Sequence, residues 1–132
     1  VLICSELTDI RFRQEMRGNF DTLFVLSWNQ DLDSFGSLVE SAALDVHCFT
    51  VLVNNRRYGD SRVRAPFKKN WMRDQVRVKG GLDDYFVVTD LNILSLRDFQ
   101  SYHEPPLGHD AVFKPTPEGF DIASRRKRTP GG

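Results

Sequence analysis

"DTLFVLSWNQDLDSFGSLVESAALDVHCFTVLVNN", residues 21–55, is the stretch on which the fold turns. It contains two apolar runs, at 22–26 and 49–53, of the kind found in strands covered on both faces. Between them Phe35, Leu38, Val39, Ala42, Ala43 and Val46 recur at three- and four-residue spacing, behind an Asp or Ser able to cap the start. That pattern predicts an amphipathic helix. A strand, a helix and a strand joined by short links predict a right-handed crossover onto a parallel sheet.

Working outward, "VLIC" at 1–4 reads as another strand, and "IRFRQEMRG" at 10–18 as a helix starting at Thr8 or Asp9 and stopping at Gly18. Cys4 therefore falls at a strand-to-helix turn. Downstream, "RRYGDSRVRAP" at 56–66 joins a Gly-Asp turn signal to alternating polar and apolar residues, which predicts an edge or antiparallel strand. "QVRVKGG" and "DYFVVTDLNI" read as two more strands linked through Gly80 and Gly81, and "LSLRDFQ" as a short helix. Residues 102–132 hold all but one of the prolines and end on a basic "RRKR" run. The expected organisation is one α/β domain over 1–101 and a Pro-rich, basic, extended tail over 102–132.

With 132 residues, 40% hydrophobic content and a mean hydropathy of -0.40, one soluble domain is expected. No apolar run approaches the roughly 20 residues that span a bilayer, and the start lacks a signal peptide's basic flank. A cytoplasmic location with no membrane partner is the expectation. Cys4 and Cys48 are poor material for a disulfide framework or a Cys-rich zinc site, so reduced thiols are expected. No Gly-rich phosphate loop or metal-type spacing occurs, so no cofactor and no metal are expected. Val1 already lies inside an apolar run, which reads as a cut through a larger fold.

Net charge is zero but unevenly spread: residues 1–53 carry three Arg/Lys against eight Asp/Glu, and residues 54–80 carry nine against two. A basic stripe commonly forms only a solvated face, yet it also attracts phosphates. On the second reading Arg56, Arg57, Arg62, Arg64, Lys68 and Lys69 are candidate nucleic-acid contacts, interleaved only with Tyr58, Phe67 and Trp71.

Cys4 acts as a nucleophile only as a thiolate, which needs a base, a cation or a helix N-terminus nearby. Its plainer reading is a buried, inert thiol. Glu6, two residues on, is placed to support the turn. His47, His103 and His109 lack ligand spacing and read as ordinary surface or hydrogen-bonded residues.

Taken in order, "VLICSEL", "DTLFVLSWNQD", "SAALDVHCFTVLVNN", "YGDSRVRAP" and "DYFVVTDLNILSLR" resemble the C-terminal half of a nitrilase-superfamily, or carbon-nitrogen hydrolase, domain over about residues 1–98. The Cys-x-Glu step at Cys4 and Glu6, the strand closing on Asn54, Gly59, and Ser61 through Pro66 carry the likeness. The family's helix Arg and Asn are lost. "SWNQDLDSFGSLVESAALDVH" also resembles nitrilase-like modules appended to some bacterial reverse transcriptases. The resemblance implies one α-β layer of an α-β-β-α sandwich, mostly parallel with antiparallel edge strands. It implies Cys4 at the nucleophile position, Glu6 supporting the elbow, and Trp28 and Asn29 near a substrate pocket. The family's catalytic Glu and Lys would lie upstream of Val1, so hydrolysis by this chain alone is not expected. The implied partners are that missing half of the domain, nucleic acid through a parent polymerase, and a second copy of this chain packed on the uncovered sheet face at Leu23–Leu26 and Phe49–Val53. A non-catalytic interaction module is the rival reading.

Overall fold

The computed structural model describes residues 1–102 and 112–128. Five strands form one sheet in sequence order: β1 (Leu2–Ile3), β2 (Thr22–Ser27), β3 (Phe49–Asn54), β4 (Ser61–Arg64) and β5 (Asp74–Val78). The first three run parallel, whereas β4 and β5 join antiparallel through reversing turns. The sheet is therefore α/β in its first half and a hairpin extension in its second. Of the two alternatives expected for residues 56–66, β4 takes the antiparallel one: it sits between β3 and β5, and β5 forms the edge.

Helices α1 (Ile10–Met16) and α2 (Leu32–Ala42) make the two crossovers. Asp9 caps α1 through Arg11 N, and Asp31 caps α2 through Ser34 N, each satisfying an amide at the open end of its helix. Both helices lie on one face. Phe35, Val39 and Ala42 of α2 and Val46 pack on Leu2, Leu23, Val25 and Leu52, with Met16 of α1 at the margin. Alternation along the paired strands turns Ile3, Phe24, Leu26 and Val53 to the other face, where all four are exposed.

After α2 the chain makes a π-type turn over Ala43–His47, and His47 takes φ +59 before β3 begins. Around Phe49, the first residue of β3, a second cluster gathers Ala65, Leu96 of α3 (Ile93–Gln100) and Phe113. Phe113 pairs through its backbone with Phe67.

Two expectations are corrected here. Residues 84–92 form no strand, because Gly80 (φ +88) and Gly81 (φ +147) turn the chain off the sheet and Leu82, Phe86 and Val88 stand in solvent. The basic end, expected to be extended, contains α4 (Ile122–Arg128). Asp121 accepts from Ser124 N, and buried Arg125 reaches Asp21, so a cap and an ion pair supply what composition did not show. His103, His109 and the "EPPLGHD" segment lie outside the described residues.

Candidate functional site

The C-terminal ends of β1, β2 and β3 stand side by side, since Ile3 pairs with Leu26 and Ser27 with Asn54. Open α/β sheets place ligands at this edge. Cys4 follows β1 directly with φ +42, a left-handed conformation that costs a residue with a Cβ roughly 1–2 kcal/mol. The chain then winds into a 3-10 turn over Cys4–Thr8. Leu7, fully buried in the core beneath α2, anchors that turn from below. Ile3 N donates to Glu6 Oε2 at 2.8 Å, and Thr8 Oγ1 donates to Ser5 O, so the turn's polar groups are tied locally.

The thiol is half-buried. Its Sγ lies 3.8 Å from Ser27 Oγ, and among the described residues no carboxylate, lysine or histidine makes a hydrogen bond to it. Ser27 went unnoticed in the sequence. Its signal was a single hydroxyl closing an otherwise apolar run, on the strand next to the cysteine's.

Asn54 organises the rest of this edge. Its buried side-chain Oδ1 accepts from Asn29 N at 2.9 Å, while Nδ2 donates to Asn29 O at 2.9 Å and Gly59 O at 2.8 Å. One amide thus crosslinks the loop after β2 to the turn after β3. That turn needs glycine: Gly59 has φ +76, and a Cβ there would meet Lys79 O at 1.4 Å. The pocket candidates divide accordingly, with Asn29 fastened by its backbone to Asn54 and Trp28 70% exposed beside it. A cleft of about 340 Å³ opens between β3–β5 and residues 83–87, lined by Val51, Val53, Val63, Val76, Val78 and Tyr85. Neither Cys4 nor Trp28 lines it.

Cys48 is the opposite kind of thiol. Burial pushes its pKa up to about 12, so it remains protonated and inert. His47 is equally enclosed, stacked on Phe99 with its edge toward Phe120. The contact of Nε2 with Lys114 O at 2.6 Å requires the proton on that nitrogen, because a carbonyl only accepts; Nδ1 then accepts from Gln100 Nε2 at 2.9 Å. Burial lowers its pKa to about 4. It is a neutral structural clamp.

The basic candidates separate by partner. Arg62 and Arg64 are buried, the first paired with Asp60 and Asp74, the second with Glu40 and Asp74. Arg56 pairs with Asp84 at the surface. Arg57, Lys68 and Lys69 are exposed. Burial would raise Glu40, but Arg64 and Arg73 outweigh it and hold the carboxyl below its usual range. Comparison with family models, curated proteins and solved structures finds no match to this chain.

Proposed function

We propose that this chain is the cysteine-bearing half of a carbon-nitrogen hydrolase-like domain, carried by a larger protein such as a bacterial reverse transcriptase with a nitrilase-like module. The observation that carries the reading is Cys4 held at φ +42 where the first of three parallel strands turns into a helical segment. A turn of this kind lifts a side chain out of the sheet and leaves one side open to substrate. In the reaction the Cys4 thiolate attacks the carbonyl carbon of an amide, the C–N bond breaks, and the amine leaves with a proton. Water then releases the acid from the thioester.

All five lysines follow Cys4 in the sequence, whereas the family's lysine and general base precede the cysteine. The proposal therefore assigns those two groups to the upstream half of the domain, which would close over Cys4, Trp28 and Asn29. The test is mass spectrometry of the whole parent protein trapped with an amide-derived electrophile. The expected adduct lies on the Cys4 peptide and is absent from Cys4→Ala. An adduct elsewhere, or amide hydrolysis by the isolated chain that Cys4→Ala abolishes, would overturn the assignment.

The exposed row of Ile3, Phe24, Leu26 and Val53 is where that upstream half would pack as a second layer. In the isolated chain the same row would pair two copies about a twofold axis. Light scattering at micromolar concentration is expected to read a dimer that Leu26→Lys dissociates, and a stable wild-type monomer would sink this part of the proposal.

A further inference from the structure

Of the nine cationic residues between 54 and 80, the structure engages five with carboxylates. Arg56 pairs with Asp84, Arg62 with Asp60 and Asp74, Arg64 with Glu40 and Asp74, Arg73 with Glu40, and Arg77 with Asp60. Lys68 and Lys69 are adjacent, exposed, and without an ion pair among the described residues. They occupy the connection between β4 and β5. Two residues further on, Trp71 is 79% exposed, against the usual preference of so large an apolar ring for burial.

This connection is rigidly built. Lys68 N donates to Val112 O at 2.8 Å, and Lys114 N to Pro66 O at 2.9 Å, which ties the connection to the segment beside it. The Arg73 guanidinium donates to Phe67 O at 2.9 Å and to Lys68 O at 3.4 Å while it holds Glu40. Met72 N to Lys69 O and Arg73 N to Asn70 O close a 3-10 turn over Asn70–Met72. The indole and the two ammonium groups are thus presented on an ordered backbone, which lowers the entropic cost of a bound partner.

We propose that this tip binds single-stranded nucleic acid, with Trp71 stacking on a base and Lys68 and Lys69 meeting the neighbouring phosphates. An exposed aromatic face beside point positive charges is the combination that unpaired strands use. Stacking on a single protruding ring requires a base whose face is free, which excludes an intact duplex. The partner is a polyphosphate and not an acidic protein because carboxylates favour the planar guanidinium fork. Every arginine from 62 to 77 is already committed to such a carboxylate.

The test is fluorescence anisotropy of labelled oligo-dT and oligo-U strands of about ten nucleotides, a length within the usual single-strand site. Binding at about 50 mM salt is expected to weaken about sevenfold by about 200 mM, a log-log slope near -1.4 for two phosphates. Trp71→Ala should weaken it about 5- to 160-fold with little change in slope, since base stacking carries no counterions. Lys68→Ala/Lys69→Ala should remove most of the slope, while Lys79→Ala leaves affinity and slope intact. Circular dichroism melts of these exposed-site variants should coincide with wild type. No binding at about 50 mM salt would overturn the proposal. So would equal binding of a duplex, equal competition by polyglutamate or a mononucleotide, or binding that survives when Lys68→Ala, Lys69→Ala and Trp71→Ala are combined.

Discussion

The two ends of the parallel strands are built on opposite plans. At the end where β2 and β3 begin, Asp21 takes both Arg97 and Arg125, His47 is clamped between Gln100 and Lys114 O, and Phe49 lies under Leu96 and Phe113. At the end where they finish, Cys4 is half-buried on a strained turn, Trp28 and Leu26 face solvent, and a single buried amide, Asn54, fastens the loops. Burial by itself would raise Asp21, but its two arginines hold it below the ordinary carboxylate range. One end is thus closed by residues far apart in sequence, and the other is left open around a half-buried thiol.

The largest effect that separates them is the pH response of His47. Its native pKa is about 4, whereas a free imidazole titrates near about 6.5. Between those values the unfolded chain binds a proton that the native chain does not, so stability is complete above about pH 6.5 and falls as the pH drops toward 4. Below 4 both states carry the proton and this loss ends. The gap corresponds to about 3 kcal/mol. Urea denaturation across this window is expected to show that decline in the wild type and to lose it in His47→Asn, a residue that tolerates the positive φ. A flat wild-type profile would mean that the imidazole is not held neutral and enclosed.

How far the sequence disclosed this arrangement depends on how local each signal is. The unit from β2 through α2 to β3 was legible because period and burial agree along consecutive residues: apolar runs on either side of a three-four stripe with an Asp cap. The turn at Cys4 was legible because an apolar run stops there. "DYFVV" misled because strand preference reports a fit to a half-buried pleated surface, and the two glycines before it lead the chain away from one. Arg62 and Arg64 read as free charges because sequence shows no carboxylate partner; Asp60, Glu40 and Asp74 reach them through folding. The same limit hid α4 and its anchor, since Arg125 and Asp21 lie 104 residues apart. Ser27 emerged only when the parallel register set it level with Asn54, whose place at a strand end the sequence already marked.

The smallest expected effect tests the open end directly. Replacing Cys4 with glycine removes the strain of φ +42, worth roughly 1–2 kcal/mol, but adds about 0.5–1 kcal/mol of unfolded-chain entropy. The side chain is only half-buried and its hydrogen-bond contact with Ser27 Oγ is long, so the net expectation is a gain of about 0.5 kcal/mol in denaturant unfolding. Cys4→Ala, which keeps the Cβ and hence the strain, is expected to stay near wild type. Cys48→Gly supplies the contrast, because that thiol is fully buried among Leu23 and its neighbours in ordinary extended backbone. Its removal should destabilise by about 1 kcal/mol or more through the cavity it leaves. If both glycine variants lose stability alike, Cys4 is an ordinary core thiol and the difference between the two ends disappears. If only Cys4→Gly gains, the chain is tolerating a strained cysteine that its own packing does not require, as expected of a residue kept for its sulfur.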